Sequence, residues 1–338
     1  MTSGSVHINT DIKEKLSSFL VGDRKRRKIG DKLFHGLVIG TAAYTLFIIV
    51  VVIFSVGLGS AKIFSYEGFI GFVTGTDWNA VEGRESYGAL PYIIGTLMSS
   101  GIALLIGVPM SIGIAFFLSE MAPTKVSSPL SFVIELLAAV PSIIYGLWAL
   151  FVFRFLIKDW IETPLYNTLG PYIPFFNQAP FGLDVFTAGI VLAIMIIPIV
   201  SSISRDVMRA VPNTQREAAY SLGATRWETA RIAVFPYGKS GLLGASILGF
   251  GRAVGETMLV TLIIGNAIGP AAIPTTLFSQ SQTLSSLIAN EFNEASSDLQ
   301  LSALIGLGAV LLMLTMIINV VARLMVSKMV RVSPGDRE

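Results

Sequence analysis

Six long stretches of this chain are almost purely apolar, and they restrict its fold more than any other feature. A helix of about 20 apolar residues crosses the hydrocarbon of a bilayer, where only helices and closed barrels satisfy the backbone. Hydrophobic residues make up 53% of the 338 residues and charged residues 14%, against about a quarter charged in a soluble domain. The sequence therefore predicts an all-α integral membrane protein with six transmembrane helices, at roughly 34–56, 90–117, 131–154, 185–204, 241–264 and 301–325.

Lysines and arginines are distributed unevenly between the segments that connect these stretches. Of the 24 in the chain, only Lys62, Arg84, Arg154 and Lys158 fall on one side of the predicted spans, and Arg252 falls inside a span. Cytoplasmic segments carry the excess of positive charge in membrane proteins. We therefore expect a multi-pass protein of the cytoplasmic (inner) membrane, with both termini in the cytoplasm.

The chain divides into three parts by composition. Residues 1–33 are predicted to be a cytoplasmic segment with an interfacial helix, residues 34–325 the transmembrane domain, and residues 326–338 a cytoplasmic tail. The basic run 24–28 lies directly before the first span. That position favours contact with anionic membrane lipid over contact with nucleic acid.

The side chains that usually hold metals or act as nucleophiles are scarce. The chain has no cysteine, which excludes disulfides and thiolate metal sites, and its only histidines are His7 and His35. We therefore predict no metal site, no catalytic residue and no cofactor bound by this chain itself, which argues against a membrane enzyme.

The polar segment 205–240 lies between two predicted spans and has a regular pattern. Thr214 followed by Glu217 is typical of a capping box, which predicts a helix over 215–222. Gly223 can adopt positive φ and so end that helix. All three residues lie on the side predicted to be cytoplasmic.

A second helix is predicted directly after Gly223. Thr225 and Glu228 form another candidate capping box, and Pro236 with Gly238 would end this helix. The segment 205–240 is thus predicted to be a hairpin of two short helices, fixed at both ends to spans. Such a hairpin can transmit movement between the cytoplasm and the membrane.

Two opposite charges, Arg252 and Glu256, lie inside the predicted span 241–264. A charge at that depth costs roughly 2.5–3.5 kcal/mol on the insertion scale. Their i,i+4 spacing allows an ion pair on one helix face, and Gly251 with Gly255 would let another helix approach closely. Two interpretations fit equally: a contact for an anion in transit, or a structural ion pair.

The hairpin sequence resembles the coupling loop of ABC-importer permeases. Glu217-Ala218-Ala219 is followed after three residues by Gly223, which is the spacing of that loop. The resemblance implies a type I ABC importer permease (MetI-like) fold. It also implies that Glu217, Ala218, Ala219 and Gly223 couple this chain to a cytoplasmic ATPase, in whose groove the hairpin sits.

Other stretches are similar to the phosphate-specific branch of that family, the PstC type. They are 77–79, 87–91, 135–146 and 251–257. The resemblance implies a role in phosphate passage for Arg252 and Glu256, and so favours the first interpretation of that pair. Glu135 lies about one turn inside the cytoplasmic interface, where a helix-cap or snorkelling role is favoured over ion binding.

The resemblance also implies the function and the partners. The chain would be the permease subunit of an ATP-driven importer of inorganic phosphate. Its partners would be a second homologous permease (PstA-type), an ATPase dimer (PstB-type) that binds ATP and Mg, and an external phosphate-binding protein (PstS-type). The alternatives are a permease for another oxyanion, sulfate or molybdate, and a secondary anion transporter.

Overall fold

The computed structural model describes the backbone of residues 10–329 and the side chains of residues 34–327. The chain forms two compact units, Met1–Leu58 and Gly59–Glu338. The first unit consists of most of helix α1, Thr10–Tyr66, whose side chains from Phe34 to Ser55 are all exposed. The predicted interfacial face of residues 1–33 and the end of the tail, residues 330–338, lie outside these described residues.

Four described helices are long and apolar enough to cross a membrane, or five if one bent pair counts as a single span. The four correspond to the first, second, fourth and sixth predicted stretches. They are Phe34–Tyr66, Leu90–Met121, Val185–Arg209 and Asp298–Ser327. The third and fifth predicted stretches are helical too, but each is interrupted.

The segment between the first two spans is folded rather than an open connector. It contains α2 (Phe69–Thr74) and a two-stranded antiparallel sheet of β1 (Trp78–Asn79) and β2 (Ser86–Tyr87). The Trp78 ring contacts Tyr87 edge-on, with ring centroids 5.0 Å apart. Its indole Nε1 donates to Glu291 Oε2 at 2.8 Å, which fixes this hairpin to a later helix.

The third predicted span is broken near its middle. Helix α3 (Leu90–Phe116) continues as a π-helical turn, Phe117–Met121, and is followed by α4 (Thr124–Ala138). The chain then bends by 89° before the next helix. Pro141 causes the break, because it lacks an N–H for the helical ladder and disfavours helical geometry in Val140.

After the bend the chain is helical as far as Leu169. Three α-helical segments alternate with two π-helical turns, and one isolated 3₁₀ turn, Pro174–Phe176, follows. The segments are α5 (Ser142–Trp148), the turn Ala149–Phe153, α6 (Arg154–Ile157), the turn Lys158–Glu162 and α7 (Thr163–Leu169).

Helix α8 (Val185–Arg209) is the central span of the second unit. Its N-terminus is capped by Asp184, whose Oδ1 accepts from Thr187 N at 2.9 Å. The largest apolar cluster packs around α8 and includes Leu192 and Ile196, both fully buried. The other buried members come from α3, from the turn Ala149–Phe153 and from residues 245–264.

The polar segment 205–240 forms the predicted pair of helices, but the second does not end where expected. Its helices are α9 (Asn213–Ser221) and α10 (Arg226–Thr229). Helix α10 runs without interruption through a π-helical turn, Ala230–Val234, into α11 (Phe235–Val254). The prediction that Pro236 and Gly238 end the second helix is wrong. Proline is tolerated at the start of a helical segment, and the π-helical turn accommodates its missing donor.

The fifth predicted span is interrupted at residues 255–257. Helix α11 ends at Val254, and α12 (Met258–Ile263) follows. A 3₁₀ turn, Gly269–Ala272, and two further helices complete the described chain, α13 (Leu284–Glu291) and α14 (Asp298–Met329).

Helix α11 packs closely on α8 through glycine. A Cβ built on Gly249 would lie 2.4 Å from Val200 Cγ2, so only glycine allows this approach. Small residues at such contacts let helices associate in a membrane, where lipid is as apolar as leucine and burial alone gives little. This contact fixes the position of the charged end of α11.

Candidate functional site

The hairpin turns at Gly223, as the sequence predicts. Gly223 has φ +82°, a conformation that glycine adopts without the cost that a Cβ would impose. The capping box at Thr225 is also confirmed. Thr225 Oγ1 accepts from Glu228 N at 3.3 Å, and Glu228 Oε2 accepts from Thr225 N at 2.8 Å.

The capping box predicted at Thr214 is wrong. Helix α9 begins at Asn213, directly after Pro212, and no side chain caps it. Thr214 already has helical geometry one residue inside the helix, and a residue there cannot act as an N-cap. Glu217 is therefore free of the capping role, and its side chain is exposed.

The four residues predicted to contact an ATPase do not share one environment. Glu217, Ala218 and Gly223 are exposed, and Leu222 beside them is 84% exposed. Ala219 is only 5% exposed, so it packs within the chain. The exposed members form a surface that a partner can reach, whereas Ala219 sets the spacing beneath it.

A buried ion pair joins α9 to the end of α3. Arg216 Nε donates to Glu120 Oε2 at 3.1 Å and Arg216 Nη2 donates to Glu120 Oε1 at 2.8 Å. The side chains are 15% and 7% exposed. Such fork-to-fork pairs are the strong, geometrically specific ones, and this one holds the pKa of Arg216 above its usual range.

Arg216 also binds the end of α8. Its Nη2 donates to Met208 O at 2.7 Å, and its Nη1 donates to Val211 O. These carbonyls lie at and just beyond the C-terminus of α8, where the helix dipole attracts positive charge, and Met208 O also accepts from Val211 N at 3.2 Å. One side chain thus connects the hairpin to two spans, and we call this cluster of Arg216, Glu120 and the two carbonyls the hairpin joint.

Aromatic packing supports the other arm of the hairpin. The Trp227 ring lies edge-on to Phe116, with centroids 5.3 Å apart, and Phe235 lies 5.8 Å from Phe116. Buried Met208 and Val234 belong to the apolar cluster at the same place. Both arms are therefore attached to the C-terminal ends of α3 and α8.

Glu135 forms a salt bridge that the sequence did not reveal. Arg205 Nη2 donates to Glu135 Oε1 at 3.0 Å and to Asp206 Oδ1 at 3.0 Å. Arg205 is buried, with a side chain 7% exposed. Glu135 thus connects α4 to α8 and serves neither as a helix cap nor as a lone snorkelling carboxylate.

The predicted pairing of Arg252 with Glu256 is wrong. Helix α11 ends between them, so their i,i+4 spacing no longer places them on one helix face. Arg252 is exposed and Glu256 is 8% exposed. Among the residues whose side chains are described, Arg252 has neither an ion pair nor a hydrogen bond.

Glu256 instead stabilises the break after α11. Its Oε1 accepts from Leu259 N at 3.5 Å, a long contact in the first turn of α12. Its backbone carbonyl accepts from Ser285 Oγ at 2.8 Å. The break therefore joins α11, α12 and α13, and it determines where Arg252 lies.

Arg252 lines a cavity of about 880 Å³ between α8, α11 and α14. Gly251 also lines it, and outside its own helix no described atom lies within 4 Å of a Cβ built there. A Cβ on Gly255 would meet only the carbonyl of Gly251, so the described residues do not make the close helix approach expected at these two glycines. Arg323 and Asn319 of α14 line the same cavity, and its described lining contains no aspartate or glutamate.

A buried carboxyl pair lies at the N-terminal end of α8, the end away from the hairpin. Asp184 and Glu162 are both fully buried, and Thr187 Oγ1 donates to Glu162 Oε1 at 2.6 Å. Burial, followed by repulsion from Glu162, raises the pKa of Asp184 to about 8. Near neutral pH this pair therefore retains a proton.

Sequence reasoning missed Arg323, Asn319 and the hairpin joint. Arg323 is the first charge in the sixth predicted span and counts toward topology there. A single sequence does not show which face of α14 lies beside α11. Arg216 and Glu120 are 96 residues apart, and nothing local to either residue indicates the other.

Comparison with known proteins gives a family match over most of the chain. Residues 107–331 match the family described as "Binding-protein-dependent transport system inner membrane component". This range includes α8, the hairpin, the cavity and all of α14.

Two similar relatives are both named "Phosphate transport system permease protein PstC". The Haemophilus influenzae protein is 47% identical over 296 residues, which cover 86% of this chain and 91% of the relative. The Pasteurella multocida protein is 45% identical over 309 residues, 90% of this chain and 94% of the relative.

Solved structures support the fold. A bacterial alginate ABC transporter, in complex with an alginate pentasaccharide-bound periplasmic protein, aligns with a TM-score of 0.54. The alignment covers 92% of this chain and 98% of the other, at 18% identity. An inward-facing structure of the MetNI methionine ABC transporter aligns with a TM-score of 0.50 over 70% of this chain and 92% of the other, at 15% identity.

Proposed function

The chain belongs to the family of binding-protein-dependent transport system inner membrane components, and from this we propose that it is the permease subunit of an ATP-driven importer of inorganic phosphate. The observation that carries the proposal is the 41–47% identity, over most of both chains, to permeases named for phosphate transport. The exposed Arg252, in a cavity whose described lining has no carboxylate, agrees with an anionic substrate.

The proposed path for phosphate passes Arg252. A guanidinium presents a planar fork of donors that matches phosphate oxygens, and this one has no competing carboxylate among the described lining residues. Glu256 would act on the same path by holding the break that positions Arg252, rather than by pairing with it. The alternative of a structural ion pair loses its support, since the two residues are not paired.

The hairpin is proposed to dock on an ATPase subunit. Its exposed tip offers Glu217, Ala218, Leu222 and Gly223 to a partner, in the manner of a helix that lies in a groove. One hairpin contacts one ATPase subunit, so a second homologous permease would serve the other. ATP and Mg would bind to that ATPase dimer, and an external binding protein would deliver phosphate from the side opposite the hairpin.

Transport in reconstituted vesicles tests this proposal. Proteoliposomes would contain this chain with its second permease and ATPase, radiolabelled phosphate would be added with the external binding protein, and sulfate and molybdate would serve as competitors. We expect ATP-dependent uptake that only unlabelled phosphate suppresses. Suppression by sulfate or molybdate would assign another oxyanion, and uptake without the ATPase would indicate a secondary transporter.

The Arg252→Gln variant tests the path itself. Glutamine keeps the side chain polar but removes the charge and the fork. We expect slow phosphate uptake by a complex that still assembles with the ATPase, as measured by co-purification. Arg84→Gln, an exposed arginine near β2, is the matched control. Loss of assembly in Arg252→Gln would instead show that the arginine acts in packing.

A further inference from the structure

The cavity beside Arg252 contains a second cation that neither the sequence pattern nor the comparisons assign to phosphate. Arg323 of α14 lines the cavity together with Asn319. Among the residues whose side chains are described, Arg323 has no ion pair and no hydrogen bond. Two guanidiniums that line one cavity both attract an anion that enters it.

The lining residues form one continuous face on each of two helices. On α11 they are Ser240, Gly244, Ile247, Leu248, Gly251 and Arg252, which recur every three or four residues as one helix face requires. On α14 they are Asn319, Arg323 and Val326, also at helical spacing. The cavity therefore runs lengthwise between the helices.

The order of the polar groups along this cavity follows from helix geometry. Ser240 lies near the start of α11 and Val326 near the end of α14, so these helix ends share the hairpin side. With about 1.5 Å per residue, Arg252 lies roughly 18 Å along the axis from Ser240. Arg323 lies only about 5 Å from Val326 along its own axis, and Asn319 about 10 Å.

We propose that Arg323 and Asn319 form a second contact for the phosphate group, on the cytoplasmic side of Arg252. This rests on the proposed function. The guanidinium of Arg323 would bind two phosphate oxygens. The amide of Asn319 offers both a donor and an acceptor, so it can bind an unprotonated and a protonated oxygen. An ion leaving Arg252 would move to Arg323 along a cavity in whose described lining no carboxylate repels it.

Two phosphate contacts in series make release of the ion possible. Conduction requires binding that is favourable enough for entry and weak enough for exit, which several moderate sites provide better than one tight site. The side chains of Arg323 and Asn319 are exposed, so solvent weakens their contacts with an anion. Arg323 therefore serves as an exit contact rather than a trap.

Chemical protection tests this site directly in the wild-type complex. An arginine-specific dicarbonyl reagent would be applied to both faces of the complex in phosphatidylcholine vesicles, so that it reaches Arg323 and Arg84 alike, and labelled peptides would be quantified by mass spectrometry. We expect inorganic phosphate, but not chloride at equal ionic strength, to slow the labelling of Arg323 several-fold. Arg84 serves as the unprotected control. Unchanged labelling of Arg323 would overturn the proposal.

The phosphate group of an anionic lipid has the same chemistry, and a second arm separates the two sources. Vesicles containing phosphatidylglycerol would replace those of phosphatidylcholine, without free phosphate. Protection by this lipid, and none by inorganic phosphate, would assign Arg323 to a headgroup and overturn its role as an exit contact.

Uptake by variants completes the test. Arg323→Gln should slow ATP-dependent phosphate uptake about tenfold, the value of one lost hydrogen-bonded charge contact. Arg323→Lys retains the charge without the fork, and its rate of phosphate uptake should lie between those of Arg323→Gln and the wild type. If the wild type takes up phosphate and Arg323→Gln does so at the same rate, the exit contact is refuted and the proposed function stands. Absence of phosphate uptake in the wild type would refute the proposed function itself.

Discussion

Replacement of Glu120 by alanine should detach the hairpin from the spans without unfolding the chain. In the structure, Glu120 accepts two hydrogen bonds from Arg216, and the two side chains are only 7% and 15% exposed. Loss of Glu120 leaves the Arg216 charge largely buried with only backbone carbonyls to accept its hydrogen bonds. We therefore expect the effect to appear in the docking of α9 before it appears anywhere else.

The magnitude follows from the burial of this pair. Breaking a buried ion pair by removing one partner costs about 3–5 kcal/mol. Arg216 keeps its bonds to Met208 O and Val211 O in the variant, so the lower end applies. Since each 1.4 kcal/mol is a factor of ten, the population of undocked hairpin should rise about a hundredfold.

Hydrogen exchange measures that population. In the assembled transporter, backbone amides of residues 213–221 should exchange about a hundredfold faster in Glu120→Ala, because exchange follows the free energy of local opening. Phosphate moved per ATP hydrolysed should fall in the same vesicles. Glu120→Gln keeps the shape and an acceptor and should show a smaller change, and Glu82→Ala, on an exposed external residue, should show none.

Two results would refute this reasoning. If α9 exchanges at the wild-type rate in Glu120→Ala, the ion pair does not hold the hairpin. If exchange of α9 rises but the phosphate moved per ATP hydrolysed is unchanged, the hairpin joint holds α9 in place. The transmission of movement through the hairpin then does not depend on that joint.

Three further predictions concern the hairpin tip and the N-terminal end of α8. Glu217→Lys should abolish uptake while membrane insertion and melting temperature stay unchanged, because Glu217 is exposed; normal uptake would refute the coupling role. Gly223→Ala should destabilise the docked hairpin by about 1 kcal/mol, since alanine resists φ +82°, and exchange of α9 measures it. The raised pKa of Asp184, about 8 against an ordinary 3.8, means that the folded chain binds more protons than the unfolded chain between these values. Stability should therefore fall as pH rises from 4 to 8. Asp184→Asn keeps the cap on Thr187 and should lose this dependence in thermal melts at pH 5 and pH 9; an equal dependence in both proteins would contradict the assignment.

Local sequence rules predicted the parts of the structure that local forces determine. Gly223 and the Thr225 cap are correct because a turn and a cap depend on residues within three positions. The break at Pro141 is also a local effect, but it lies within an apolar run whose hydropathy masks it. The capping box predicted at Thr214 was wrong because α9 already begins at Asn213, directly after Pro212, which places Thr214 inside the helix.

The candidate site was predicted less completely, because its geometry depends on contacts between distant segments. Arg252 was identified from a charge in an apolar stretch, which is a composition signal. Its predicted partner was wrong because the helix ends at Val254, and continuous hydropathy does not report such an end. Arg323 and Glu120 acquire their roles only through helices packed against α11 and α9.

The uninterrupted helix from Arg226 to Arg252 has a mechanical consequence. With about 1.5 Å per residue, this helix is roughly 40 Å long, with the hairpin at one end and Arg252 in the cavity at the other. A tilt of about 5° about one end displaces the other by roughly 3 Å, which is close to the length of a hydrogen bond. A lever of this length converts a small rotation at the cytoplasmic surface into the making or breaking of a contact with an ion.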